Sequence, residues 1–333
     1  MNSHLVVIGA SAGGIEALTE IVRALPGDFP APIAIVVHMS PQSSNSLVEI
    51  LKRRTVLKVK AAGDRAPIVP GEITVAVPNH HLMVQDGRYR VVAGPRHNRN
   101  RPSIDTLFRS AALSYGPAVV AVVLSGLLDD GSAGLIEIKR YGGVGVVQEP
   151  ADALFDSMPR NAIDADHPDF VLPLAEIPGK LAEIVRQPVP KNGNNGRKRP
   201  KSAPVSIARK DESVEEHERK DGTPAVYTCP ECSGTMWEKK EGDTVRYECR
   251  VGHTFSQLGM EEAKRDALEQ AMWVALRTLE ESASLSKRMA DRARERNHVM
   301  VARRWEELAK TRSKDAGLLR EILFRDTEAA VNE

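Results

Sequence analysis

The chain has 333 residues, 46 Lys+Arg against 45 Asp+Glu for a formal net charge of +1, 41% hydrophobic residues, 4% aromatic residues and three cysteines. That length carries two domains or one large domain with appendages, and the apolar fraction excludes a chain disordered throughout. The charge balance argues against a global nucleic-acid or membrane-surface binder, and three cysteines cannot close a disulfide framework, which points to a reducing compartment where thiols ligate metals or act as nucleophiles.

The start, Met1 to Ala10, has no Lys or Arg, and its apolar run Leu5–Ile8 is too short for a signal h-region. Ala118–Leu124 is likewise strand-length, so the expectation is a soluble, cytoplasmic protein without membrane insertion.

In chain order, Leu5–Ile8 predicts a strand, followed by Gly9-Ala10-Ser11-Ala12-Gly13-Gly14 and a helix through Ala24. Ile33–Val37 predicts a second strand and Ser43–Arg53 a helix. Ile68–Val77 and Met83–Val92 are broken by Pro70-Gly71 and Asp86-Gly87, which predicts two hairpins. Then come a helix over Ile104–Ser114, a buried strand over Val119–Leu124 and a helix over Ser132–Arg140. A strand at Val144–Gln148, a short helix at Pro159–Ala165 and a closing helix at Leu174–Val185 complete the unit. Alternating strands and helices give the fold class: α/β, a doubly wound, mostly parallel sheet in three α/β/α layers.

Composition then changes. Residues 188–224 hold Pro, Asn-Gly repeats and a basic run with little apolar content, so they predict a disordered linker whose charge is solvated. Residues 225–257 contain all three cysteines, and residues 258–333 carry apolar residues at helical spacing. The tail predicts two amphipathic helices breaking near Arg296–His298, hence a helical hairpin. The expected division is 1–187 for the catalytic domain, 188–224 for the linker, 225–257 for the cysteine unit and 258–333 for the tail.

Gly9-Ala10-Ser11-Ala12-Gly13 fits G-x-S-x-G between a strand and a helix. Such a turn lifts the Ser11 hydroxyl above the sheet edge, and the Ala12 N–H at the helix start can face an oxyanion. A Gly-rich turn after a first strand also opens dinucleotide-binding folds, but Ser11 occupies the middle glycine position and the second strand ends in His38 rather than an acid. A serine needs a base, and His38 lies at the end of the adjacent predicted strand. His80 and His81 form a rival pair beside the hairpin region. An orienting carboxylate follows the Val119–Leu124 strand, where Asp129 and Asp130 are adjacent and position alone does not choose between them.

Together Val6–Gly14, Val37-His38-Met39, Gly94-Pro95-Arg96, Asn100–Phe108, Leu124-Ser125-Gly126, Asp130–Gly134 and Met158–Ile163 resemble, in this order, the catalytic domain of the CheB-type protein-glutamate methylesterases of bacterial chemotaxis. The resemblance covers about residues 3–187. It implies hydrolysis of glutamyl methyl esters on chemoreceptor helices, some deamidation of receptor glutamines, and no cofactor for catalysis. Motif by motif, it implies Ser11 as nucleophile, His38 as base and Asp130, directly before Gly131, as the acid. The family often has Thr where this chain has Ala12 and Met-Gly-Asn where it has Leu127-Leu128-Asp129, so Ala12 and Leu127 stand as the oxyanion pocket. Well-known members carry a phosphorylatable receiver domain ahead of the esterase. Here the sequence starts on the first esterase strand, and a stand-alone member is the expectation.

Cys229-Pro230-Glu231-Cys232 and Cys249 with His253 form C-x₂-C, a gap of 16 and C-x₃-H. Three thiolates and an imidazole suit a closed tetrahedral zinc site, and Tyr227, Trp237, Tyr247 and Phe255 supply a mini-core for a zinc-ribbon-like unit. A C-x-x-C redox pair is the rival, without a strand–helix context to support it. Mixed charge around the cysteines argues against nucleic acid. The tail helices would pair with each other, self-associate or meet a signalling partner. A signalling adaptor that keeps the esterase fold and works through ribbon and tail is the alternative to an active enzyme.

Overall fold

The computed structural model describes residues 4–40, 46–189, 222–241 and 244–329. Most of the predicted linker, 190–221, lies outside them. The chain divides into two compact units, Met1–Met260 and Glu261–Glu333.

The first unit is organised on a seven-stranded parallel sheet ordered β3-β4-β2-β1-β7-β8-β9. Its strands are β1 (Leu5–Ala10), β2 (Ile33–Val37), β3 (Lys58–Ala61), β4 (Glu72–Val75), β7 (Val119–Val123), β8 (Val144–Gln148) and β9 (Phe170–Leu172). The central strands are Val- and Ile-rich without polar alternation because helices cover both faces. Successive side chains of β1 go to opposite layers. Val6, Ile8 and Ala10 meet α1 (Gly14–Ala24), α2 (Ser46–Lys52) and α6 (Ile177–Arg186). Leu5 and Val7 meet α3 (Ile104–Tyr115), α4 (Ser132–Arg140) and α5 (Ser157–Asp166).

One hairpin, β5 (His81–Gln85) and β6 (Arg88–Val92), turns at Asp86-Gly87 and packs on the second layer through Leu82, Val84 and Tyr89. The hairpin expected at Ile68–Val77 is absent. Pro70-Gly71 instead delivers the chain to β4, which pairs in parallel with β2 and β3. Gly71 takes φ +73°, the left-handed turn that makes this entry possible. Edge strand β3 is short and polar, and Lys58 and Lys60 both ion-pair with Glu72 of β4.

A separate antiparallel sheet runs β10 (Thr223–Thr228), β11 (Thr235–Glu241), β12 (Thr244–Cys249) and β13 (Thr254–Ser256). Two long helices follow, α7 (Gln257–Glu295) and α8 (Val299–Ala329), broken where Asn297 takes φ +58°. They run antiparallel. Arg312 donates to Ser286 Oγ (2.9 Å), Arg294 pairs with Glu306, Arg320 pairs with Glu280, and Leu276 packs with Ala316 and Leu323. Among the described residues no helix is long and apolar enough to cross a membrane.

Candidate active site and candidate metal centre

The sheet reverses its winding between β1 and β7, and loops at the carboxyl ends of β1, β2 and β7 meet there. Open α/β sheets place their ligands in that crevice. Ser11 follows β1, and its N–H bonds to Ser125 O after β7 (3.0 Å). The His38 N–H bonds to Ala10 O (3.1 Å), which ties the end of β2 to the end of β1.

The side chains converge. Ser11 Oγ lies 3.1 Å from His38 Nδ1, and His38 Nε2 lies 2.7 Å from Asp130 Oδ2. A carboxylate only accepts, so the proton sits on Nε2 and the Nδ1 lone pair faces the serine hydroxyl. Asp129 does not reach His38: its Oδ1 accepts from Ser256 Oγ at 2.8 Å. Neighbours at a helix start point in different directions, which is why position in the sequence could not separate the two.

Asp130 is almost wholly buried, and donors surround it. Oδ1 accepts from Ser103 Oγ (3.0 Å) and Asp105 N–H (3.1 Å), and Oδ2 also accepts from Ile104 N–H (2.8 Å). These donors form the start of α3, whose dipole favours an anion. Burial opposes its ionisation, but the hydrogen bond from His38, the charge that ring carries when protonated, and the α3 amides hold its carboxyl below the ordinary range. Burial, then the charge of Asp130, pushes the neighbouring Asp105 up to about 8. Asp105 Oδ1 accepts from Gly131 N–H (3.0 Å) and Gly134 N–H (2.7 Å), holding the start of α4 against α3.

Sequence reasoning assigned no role to Asp105 or Ser103, and it raised His81 only as part of a rival pair. His81 is fully buried. Its Nε2–H donates to Pro95 O (2.8 Å), and its Nδ1 accepts from Ser103 N–H (3.3 Å). Burial lowers its pKa to about 4, so it is neutral and serves as a strut behind α3. The signal available was the Asn100-Arg101-Pro102-Ser103-Ile104-Asp105 stretch, whose last polar residues open a helix.

Small residues let the loops close on Ser11. A Cβ at Gly126 would fall 2.8 Å from Ser11 Cβ and 2.7 Å from Met158 Cε. Gly13 takes φ +70° at the start of α1. Buried Ser125 pins the rim, donating to Ala12 O (2.8 Å) and accepting from Phe155 N–H (2.9 Å). Leu127 is half-exposed on the same rim, and Asn161 Nδ2 donates to the carbonyl of the next residue, Leu128 (2.8 Å).

Away from this site, Cys229, Cys232, Cys249 and His253 place their ligand atoms within 4.8 Å of one another. The Cys232–Cys249 sulfur separation is 3.7 Å, and His253 Nδ1 lies 3.7 Å from Cys229 Sγ and 3.4 Å from Cys249 Sγ. A tetrahedral ion with sulfur arms of ~2.3 Å requires edges near ~3.8 Å, slightly shorter to nitrogen, so the donor set fits zinc. Two tight turns present the ligands: Ser233 N–H bonds to Cys229 O (2.8 Å) and Gly252 N–H to Cys249 O (2.9 Å). Ser233 takes φ +59° where glycine would be relaxed.

Residues 6–181 match the family model described as CheB methylesterase. A relative from Leptospira interrogans, the putative protein-glutamate methylesterase/protein-glutamine glutaminase, is 42% identical over 178 residues, covering 53% of this chain and 92% of its own. The protein-glutamate methylesterase FrzG of Myxococcus xanthus is 38% identical, over 54% of this chain and 54% of its own. The crystal structure of the Thermotoga maritima CheB methylesterase catalytic domain superposes with a TM-score of 0.54 at 35% identity, covering 56% of this chain and all of that domain. With a match across just over half its length and a domain fold of this likeness, the chain belongs to the CheB methylesterase family.

Proposed function

We propose that the chain is a hydrolase acting on glutamyl methyl esters of chemoreceptor cytoplasmic helices, and on receptor glutamines as its relatives' names indicate. The observation that carries the reading is the relay from Ser11 Oγ through His38 to Asp130 at 3.1 and 2.7 Å.

In the proposed reaction Ser11 Oγ attacks the ester carbonyl while its proton moves to His38 Nδ1. Asp130 holds the ring and stabilises the imidazolium as it forms. The N–H groups of Ser11 and Gly126 already donate to Ser125 O and Phe155 O. In this reading the oxyanion donors are the adjoining amides of Ala12, at the start of α1, and Leu127, at the position the family resemblance points to. Collapse breaks the bond to the methoxy oxygen, which takes the proton from His38 and leaves as methanol. Water then attacks the glutamyl-enzyme with His38 as base, releasing glutamate and restoring Ser11. An amide substrate follows the same steps with ammonia as leaving group.

The test is methanol release from a panel of methylated chemoreceptor fragments. Ser11→Ala is expected to lower the rate on the order of 10⁴–10⁶-fold. A Ser11→Ala protein with undiminished ester hydrolysis overturns the assignment.

The four-part division at 1–187, 188–224, 225–257 and 258–333 belongs to the same proposal. So does a structural zinc held by Cys229, Cys232, Cys249 and His253, supported by their clustering and by donor separations of 3.4 to 3.7 Å among three of the pairs. Bound there, zinc would cross-link the two turns and leave no ligand place open for chemistry. The antiparallel α7 and α8 fit a helical hairpin offering a surface for self-association or a signalling partner.

A further inference from the structure

The Cys/His sheet is joined to the catalytic layer at the segments that build the triad acid. Strand β13 begins at Thr254, the residue after the candidate ligand His253. It lies along the loop preceding α3: Asn98 N–H bonds to Thr254 O (2.8 Å), and Thr254 N–H bonds to Arg96 O (3.3 Å). Ser256 N–H then bonds to Asn98 Oδ1 (2.7 Å). Within three residues of the ligand the strand has captured one of the two segments around Asp130.

Ser256 also captures the other. Its Oγ donates to Asp129 Oδ1 (2.8 Å) and accepts from Gly259 N–H (2.9 Å). Asp129 is joined by a peptide bond to Asp130, whose remaining partners are the amides of Ile104 and Asp105 and the hydroxyl of Ser103. Asn98 Nδ2 approaches Asp105 Oδ2 at 3.5 Å, and Arg96 pairs with Glu231 beside the first cysteine turn (3.4 Å). The loop being held is a demanding one, with Asn98 at φ +46° and Arg99 at φ +65°. Residues in that region persist where surrounding contacts fix them.

We propose that Asn98 and Ser256 are positioning residues for Asp130, and that metal in the Cys229/Cys232/Cys249/His253 site sets the esterase rate through them. The inference rests on the zinc reading above. Without the cation the two turns lose their cross-link, β13 detaches, and the loop before α3 and the 129–131 turn lose their shared clamp. His38 then faces a carboxylate whose placement varies, and small misplacements of catalytic groups are costly in rate.

The experiment uses the full chain, zinc-loaded and after chelator treatment, with metal content measured in both. Activity is kcat and KM for methanol release from a methylated receptor fragment turned over by the wild type. A second readout is the downfield proton resonance of His38 Nε2–H on Asp130, with amide exchange at Ile104 and Asp105. Zinc removal is expected to lower kcat roughly tenfold to a hundredfold with KM little changed, and to broaden the imidazole proton. Ser256→Ala should do the same with zinc still bound, and Ser256→Thr should restore both. Equal kcat and an unchanged imidazole proton in the chelated protein overturn the metal link. The same result in zinc-loaded Ser256→Ala overturns the positioning role. A chain that takes up no zinc defeats the metal reading itself, and Ser256→Ala still decides whether β13 positions the acid.

Discussion

The parallel sheet buries both faces, with every residue of β1, β2 and β7 shielded from solvent. The cysteine-bearing sheet buries chiefly Met236, Tyr247, Phe255 and the cysteines Cys229 and Cys249 as apolar content, and leaves Val226 and Tyr227 exposed. The first supports itself through two continuous apolar layers. The second is too small for that, and on the proposed reading a metal cross-link and a neighbouring layer support it. The chemistry of the molecule lies in the self-supporting part, while the part that needs support grips its active-site loops.

The largest effect that sharpens this contrast is metal removal. Apparent metal-binding free energies of ~10–16 kcal/mol underlie the folding of small zinc units. Chelation, or Cys249→Ser, is expected to abolish amide protection across β10–β13 while β1, β2 and β7 stay protected. Hydrogen exchange read by mass spectrometry checks it, and a sheet that stays protected without zinc breaks the contrast.

Next in size is Asp130→Asn. An amide in place of the carboxylate favours the wrong imidazole tautomer, with Nε2 accepting and Nδ1 protonated toward Ser11. The rate of ester hydrolysis should fall on the order of 10⁴-fold. Zinc content should be unchanged, because this loss belongs to the catalytic layer alone. Asp129→Asn should cost far less, since Asp129 does not touch His38, and equal losses in the two variants contradict the assignment of the acid.

A third test addresses the core. Phe108 is fully buried in α3 against the sheet. Phe108→Ala removes that ring and leaves a cavity, a loss of about 3–5 kcal/mol. Denaturant unfolding of the zinc-loaded chain should show it, with zinc affinity retained. A drop in zinc affinity of matching size would mean that the two sheets unfold as one.

Much of this was legible beforehand, for physical reasons that can be traced. Buried parallel strands are unbroken β-branched runs, so β1, β2, β7 and β8 stand out. Strand β3 does not, because Lys58 and Lys60 read as surface until Glu72 is seen beside them. β4 was hidden behind Pro70-Gly71, a turn signal that serves a crossover as well as a hairpin. Ser11 and His38 could be nominated from strand ends. The choice of Asp130 over Asp129 depends on side-chain direction at a helix start and needed the family resemblance. The clamp by β13 was not legible at all. It joins residues 127 and 158 positions apart, through the Ser256 hydroxyl and the Asn98 carboxamide, and no local pattern in the sequence links positions so distant.

The smallest effect is a pH slope. His81 is buried with its pKa lowered to about 4 by desolvation, against about 6.5 in an unfolded chain. Between those values the unfolded state binds a proton that the folded state refuses. This group's contribution is therefore fully present above about pH 6.5 and is lost as pH falls toward 4. His97, buried beside it with ring centroids 5.2 Å apart, acts in the same sense. Asp105 opposes them: with its carboxyl pushed up to about 8, its contribution falls as pH rises from about 4 to 8. Stability of the wild type alone therefore mixes signs, and a difference isolates one group. His81→Gln removes a single titrating imidazole. The gap between wild type and variant, measured by urea unfolding, should shrink as pH falls from 6.5 to 5, with a slope that steepens toward about 1.4 kcal/mol per pH unit. A gap that stays constant over that range would mean that His81 is protonated in the folded protein. It would then donate from both nitrogens, and the Ser103 N–H bond to Nδ1 that braces the start of α3 could not exist.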